Sequence, residues 1–265
     1  MRAPKGADSF ATRPIITLTT DFGLVDSYVA AMKAVLLRGC PAARLIDVTH
    51  LSPRHDILCG SITLERAVDG FPPETIHLAV IDPGVGTDRR ILVVRVKDQL
   101  VVCPDNGLIT WSWRRHPRGA RAHELTWRPG KPASHTFHGR DILAPAVAML
   151  ARGMSVDEIA RPIDDPVLLD VEPAHAPVAR GRVIHLDAFG NATTNVPSDK
   201  LRENAPHSFR VKGRDLGRLR KTYWDVAPGK PLALIGSSGL LEIAVRDGSA
   251  AKSLRLKVGD AVEVK

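Results

Sequence analysis

Residues 76–90 read IHLAVIDPGVGTDRR, and the change of character inside this stretch sets the architecture of the first half of the chain. The apolar, β-branched run 76–81 has the pattern of a strand buried on both faces. Pro83, Gly84 and Gly86 stop it abruptly, leaving Asp82 at its carboxyl end and Arg89 just beyond the turn. Open α/β sheets bind their ligands outside that edge. An acid and a cation placed there read as chemistry rather than packing.

Outward from this stretch, residues 15–20 and 45–49 repeat the buried-strand pattern. A helical pattern over 26–38 has Asp26 and Ser27 as cap candidates and stops at Gly39 and Pro41, and a second over 56–69 closes with Gly70, Pro72 and Pro73. Strand and helix in alternation predict a parallel, right-handed βαβ arrangement. Residues 91–96 and 100–103 flank Lys97-Asp98 as a hairpin, a third helix follows over 140–152 and ends at Gly153, and Ser155 with Glu158 forms a capping box for a short helix.

Pro162, Pro166, Pro173 and Pro177 then disfavour any continuous element. Beyond them 181–186, 232–235, 241–245 and 254–265 are short β-type runs between Gly, Asn and Asp turns. The expected organisation is a disordered tail over 1–13, an α/β domain with a mainly parallel, Rossmann-like sheet over 14–163, a linker over 164–180, and a small all-β, barrel-like domain over 181–265.

At 265 residues the chain is long for one compact core, which favours the two-domain reading. Its formal charge of +8 suits a nucleic-acid binder. The distribution argues otherwise, because basic residues are scattered, cluster only at 114–115 and 214–221, and lack interleaved aromatics. No nucleic-acid partner is expected. The three cysteines, Cys40, Cys59 and Cys103, are odd in number and set in apolar sequence, as buried thiols of a reducing compartment are. No run approaches the roughly 18 apolar residues of a membrane span, and the N-terminal MRAPKGADSFATR has no apolar signal region. A cytoplasmic protein without a membrane partner is expected.

Taken residue by residue, the polar positions have ordinary readings. Asp21 is a turn or capping acid, and a protein-kinase reading of its DFG fails for want of a glycine-rich loop and an HRD loop. Asp82 is a turn acid or the phosphate-loop acid of an actin-like ATPase, Arg89-Arg90 a solvated pair, His138 a helix cap, and PDNG at 104–107 a tight turn. His50, His55 and Asp56 lie close in sequence without the spacing of a metal-ligand pair, so no metal is expected.

In order along the chain stand TTDFG (19–23), DVTH (47–50), DPGVGTDRR (82–90), PDNG (104–107), TFHGRDILAP (136–145), FGNATTN (189–195) and GSSGLLEIAV (236–245). Together they closely resemble the S-adenosyl-L-methionine hydroxide adenosyltransferase family over about residues 14–265. Members hydrolyse S-adenosylmethionine (SAM) to adenosine and methionine and are related to the SAM-dependent chlorinase and fluorinase. The resemblance implies a catalytic Asp82, Arg89 and His138, a triad that separates the hydrolases from the halogenating enzymes. It implies that Asp21 holds the ribose hydroxyls, that Asp187 and Asn191 hold the ribose and amino-acid portions, and that Tyr223 stacks on adenine. Ser237, Ser238 and Glu242 would line the adenosine and methionine side. Arg246-Asp247 stands where relatives carry an asparagine that reads adenine, which leaves base recognition to backbone groups such as those of Val245. The resemblance further implies a homotrimer with each site shared between neighbouring subunits, and no cofactor, since SAM is the substrate. The alternatives are a SAM-dependent halogenase and a nucleoside-binding protein without turnover.

Overall fold

The computed structural model describes residues 13–171, 180–201 and 208–265. It divides into two compact units, one closing at Leu169 and the other opening at Asp170. The expected tail, apart from Arg13, and the linker residues 172–179 lie outside the described residues.

The strands of the first unit are β1 (Ile15–Thr20), β2 (Arg44–Thr49), β3 (Ile76–Val80), β4 (Ile91–Val96), β5 (Gln99–Pro104), β6 (Arg121–Leu125) and β7 (Ala160–Ile163). They pair in the order β2-β1-β3-β5-β4-β6-β7. The pairings of β1 with β2, β1 with β3 and β3 with β5 are parallel. Antiparallel pairings of β4 with β5 and β6, and of β6 with β7, extend this parallel half into a mixed sheet.

The helices are α1 (Tyr28–Gly39), α2 (Ile57–Gly70), α3 (Thr110–Arg115), α4 (Ala144–Ala151) and α5 (Val156–Ile159). Residues of β3 alternate between the two sheet faces, as the period of a strand requires. Leu78 and Val80 pack with Met32 and Leu36 of α1 and Val147 of α4. Ala79 and Ile81 pack with Leu64 and Val68 of α2. The sheet is thus covered on both sides, which is why β1 and β3 are rich in apolar and β-branched residues and nearly fully buried.

Several elements form for local reasons visible in the sequence. Asp56 caps α2 by accepting the Cys59 N–H at 2.9 Å, and the Ser155 N–H donates to Glu158 Oε2 at 2.7 Å at the start of α5. Lys97 and Asp98 both take left-handed backbone angles, φ 50° and 56°, as a two-residue hairpin turn requires. Cys40, Cys59 and Cys103 are buried thiols outside any disulfide among the described residues, and burial pushes the Cys59 and Cys103 thiols up. Among the described residues no helix is long and apolar enough to cross a membrane.

Other expectations need correction. The run 45–49 is not buried on both faces, because β2 is the outer strand of the sheet and its residues are only partly covered. The helix expected over 140–152 opens as a π-helical turn, Gly139–Leu143, before α4 begins. Ser27 rather than Asp26 precedes α1, and its side chain makes no capping bond. Strands β6 and β7 and helix α3 carry no clear local signal: RAHEL has no β-branched residue and ARPI contains a proline. Proline is tolerated in β7 because that strand ends the sheet.

The second unit is a closed barrel, by itself, of β8 (Arg180–Leu186), β9 (Ala192–Pro197), β10 (Ser208–Val211), β11 (Arg214–Arg220), β12 (Pro231–Ile235), β13 (Leu240–Val245) and β14 (Ala261–Val264). Phe209, Leu241, Ile243 and Val262 fill it. The β run expected over 254–265 is shorter than predicted, with β14 alone extended and a short helix α6 (Ala250–Ser253) just before it.

Helices α1 and α4 meet at Gly39, where an added Cβ would lie 2.5 Å from the Ala148 Cβ. Neither atom can swing away, since both are fixed to helical backbone. Gly39→Ala is expected to lower unfolding free energy by about 1–3 kcal/mol in urea denaturation, the usual cost of overpacking, and Ala148→Gly in the same chain to recover part of it.

Candidate active site

Strand β1 hydrogen-bonds β2 on one side and β3 on the other, so the strand order reverses at β1. Thr20 and Val80 are register partners, which brings the residues that follow them, Asp21 and the 81–82 turn, to one crevice at the carboxyl edge. A cavity of about 360 Å³ opens there, lined by Asp21, Asp26, Tyr28, Asp82, Phe137 and His138 among others.

The turn after β3 closes on itself, with the Val85 N–H donating to the Asp82 carbonyl at 3.2 Å and the Thr87 hydroxyl to the Gly84 carbonyl at 2.7 Å. Gly86 has φ 84°, and a Cβ on it would sit 2.4 Å from the His135 carbonyl oxygen. Glycine here lets the turn press against the segment that carries His138. From behind, Asn106 of the PDNG turn donates its amide to the Ile81 carbonyl at 2.9 Å, holding the residue before Asp82.

Asp82 and Arg89 form a two-pronged pair. Arg89 Nε donates to the two carboxylate oxygens at 2.6 and 2.8 Å, and Nη2 donates to Oδ2. The side chains are only 5% and 9% exposed, so the pair operates largely out of water. Arg89 Nη2 also lies 3.3 Å from His138 Nδ1. Because a guanidinium only donates, Nδ1 accepts, which assigns the ring proton to Nε2. Burial, and then the Arg89 charge, push the His138 imidazole below its ordinary pKa, and the ring is therefore neutral near pH 7. Arg90 points elsewhere, to Asp105 and Asp165, each at 2.7 Å.

Asp21 Oδ2 accepts the His55 N–H at 2.8 Å. Phe22, Tyr28 and Phe137 meet edge to face at centroid distances of 5.4–5.9 Å and give the cavity an apolar wall. Sequence reasoning missed Phe22, Tyr28, Arg54 and Phe137 on this wall, and treated Asp26 as a helix cap although it faces the cavity. Phe22 and Phe137 stand inside the TTDFG and TFHGRDILAP motifs, and Asp26, Tyr28 and Arg54 a few residues beyond one, so position was their one signal. His50, His55 and Asp56 have separate tasks: His50 contacts Thr20, the His55 N–H serves Asp21, and Asp56 caps α2.

The remaining expected residues lie in the barrel unit. Asp187 folds a tight turn, accepting from the Phe189 N–H at 2.9 Å, the Asn191 N–H at 2.8 Å and the Asn191 amide at 3.1 Å. Phe189 on that turn is 79% exposed, an aromatic face that sequence reasoning did not single out. The Tyr223 hydroxyl donates to Glu242 Oε1 at 2.8 Å. Partial burial and the neighbouring Glu242 carboxylate push that hydroxyl up to about 12, so Tyr223 remains a donor. Ser237 and Ser238 lie in the turn between β12 and β13, closed by the Gly236 N–H to the Leu240 carbonyl at 2.9 Å, and Gly236 packs directly on Glu242. Val245, at the end of β13, is buried. Arg246 stacks on the Trp224 ring, 3.9 Å from its centroid, and donates to the Val226 carbonyl at 2.8 Å. It braces the turn that carries Tyr223.

The models for the SAM hydroxide adenosyltransferase N-terminal and C-terminal domains match residues 16–160 and 181–263. An (R)-S-adenosyl-L-methionine hydrolase of Salinispora tropica is 41% identical over 260 residues, covering 96% of this chain and 98% of the relative. A fluorinase of Actinopolyspora mzabensis is 26% identical over 298 residues, covering 97% and 99%. A conserved Thermotoga maritima protein of known crystal structure superposes with a TM-score of 0.86 at 35% identity, covering 94% of this chain and 100% of that one. The chain belongs to the SAM hydroxide adenosyltransferase family.

Proposed function

We propose that the protein hydrolyses S-adenosyl-L-methionine to adenosine and L-methionine by in-line attack of water or hydroxide at the ribose C5′. The observation that carries this reading is the buried Asp82–Arg89 pair with the half-buried His138 beside it, at the cavity that Asp21 also lines. The C5′–S bond breaks as the new C5′–O bond forms. Its electrons leave with sulfur as a neutral thioether, so no general acid is needed. A sulfonium cation and a hydroxide cancel their charges along the way, and a dry pocket therefore disfavours the separated ions more than the transition state.

What remains is to aim and activate a weak nucleophile. Asp82 and His138 position the water and one of them takes its proton, His138 only once its Nδ1 has given up the Arg89 contact, while Arg89 keeps both side chains in place and favours the deprotonated form electrostatically. Holding the reactants in line supplies up to roughly 7–11 kcal/mol in well-oriented systems. A halide nucleophile has no proton to lose, so a cluster of this kind suits water better.

By this reading Asp21 binds the ribose hydroxyls, and Asp187, Asn191, Tyr223, Ser237, Ser238, Glu242 and the Val245 backbone bind the rest of the ligand. The family also supports a homotrimer in which each site takes Asp21, Asp82 and His138 from one subunit and the Tyr223 and Glu242 group from its neighbour. The reaction requires no resident cofactor or metal. The protein would work in the cytoplasm, without nucleic acid or membrane.

Chromatography of products after incubation with SAM is expected to show adenosine in halide-free buffer and still adenosine with chloride or fluoride present; a 5′-halo-5′-deoxyadenosine would favour the halogenase reading instead. Asp82→Ala should reduce adenosine formation by roughly 10²–10⁴-fold while nucleoside binding stays measurable by calorimetry. Arg89→Gln removes a positive charge beside His138, so an NMR titration should find the imidazole pKa raised toward 6.5, the ordinary value. Mixing inactive Asp82→Ala with inactive Glu242→Ala subunits should restore part of the activity if sites are shared, and none if each chain works alone.

A further inference from the structure

The DVTH motif ends in a side-chain chain that the reaction itself does not use. His50 is 3% exposed and Thr20 is fully buried. His50 Nδ1 lies 2.8 Å from the Thr20 hydroxyl, its Nε2 3.0 Å from Asp47 Oδ1, and Lys33 Nζ of α1 donates to Asp47 Oδ2 at 2.6 Å. The Thr20 oxygen accepts the Phe22 N–H at 3.3 Å, and the His50 carbonyl accepts the Gly23 N–H at 2.8 Å. One residue therefore holds the Asp21 turn at two points, Phe22 through the Thr20 hydroxyl and Gly23 through its own backbone.

The Nε2 approach to Asp47 is close but not aligned as a hydrogen bond, so the contact that ties the His50 ring to the turn is the one between Nδ1 and the Thr20 hydroxyl. With either atom of that pair as donor, the Thr20 oxygen keeps a lone pair for the Phe22 N–H. Hydroxyl, imidazole and carboxylate in this order resemble a nucleophilic relay. Thr20 has no exposed surface, so it cannot reach a substrate. The chain's effect is on the position of Asp21, which leaves β1 immediately after Thr20 and faces the cavity.

We infer that His50 is a positioning residue which, through Thr20, fixes the Asp21 turn and so sets the preference of the site for a ribose bearing both hydroxyls. This rests on the reading of Asp21 as the ribose-binding acid. Displacing a binding group by about 1 Å is enough to cost up to 10²-fold, and a turn held at two points gives little room for such a shift.

The test compares adenosine with 2′,3′-dideoxyadenosine as inhibitors of SAM hydrolysis by the full chain. The wild-type protein should prefer adenosine, and Asp21→Asn should lose that preference. His50→Leu should reduce the preference about tenfold and raise KM for SAM by a similar factor, with kcat changed less than about threefold. Thr20→Val, close in shape, should reproduce this, and His50→Asn, whose amide stands where Nδ1 was, should recover most of the preference. If His50→Leu does not fold, Thr20→Val decides alone. Equal weakening of both nucleosides, or a fall in kcat with the preference intact, overturns the positioning role and leaves Asp21 as the ribose ligand. A wild-type protein indifferent to the hydroxyls, or an Asp21→Asn variant that keeps the preference, overturns the reading of Asp21 and this inference with it.

Discussion

Strand β1 shares its hydrogen bonds with β2 on one side and β3 on the other, and the first unit is organised around that double pairing. Because the chain crosses to opposite sides of β1 in successive connections, the loops that leave β1 and β3 diverge and open a crevice between them. Asp21 and Asp82 face one cavity for this reason, although 61 positions separate them. The covered sheet beneath is rigid enough to hold both, since α1 with α4 and α2 with α3 fill its two faces with close-packed apolar side chains.

Charge at the crevice is managed by pairing rather than hydration. An ionised Asp82 out of water is costly unless its oxygens are occupied, and Arg89 occupies both. The guanidinium then has Nη2 within reach of His138, and the same contact that orients the imidazole lowers its basicity. Gly86 is the steric condition for this arrangement. Any side chain there would collide with the His135 carbonyl and part the two loops that supply the cluster.

In the barrel unit the long cationic side chain of Arg246 is absorbed by stacking on Trp224 and bonding the Val226 carbonyl. The turn with Tyr223 is thereby tied to the end of β13, and Tyr223 is tied to β13 again through Glu242.

Much of this was legible in the sequence, because it depends on local rules. Apolar runs rich in β-branched residues marked β1 and β3, Asp56 and Glu158 announced their caps, and Lys97-Asp98 its turn, whereas Asp82, Arg89 and His138 were grouped by resemblance to the family and by no local rule. Strands β6 and β7 were not legible, since their residues are extended only because a neighbouring strand edge was left to pair. The same holds for Asp26, Tyr28 and Phe137 on the cavity wall and for the link from His50 to Thr20. Periodicity and capping act over a few residues and survive in a linear string. Which side chains meet across 30 or 49 positions, as Thr20 with His50 and Arg89 with His138 do, is decided by strand order and helix packing alone.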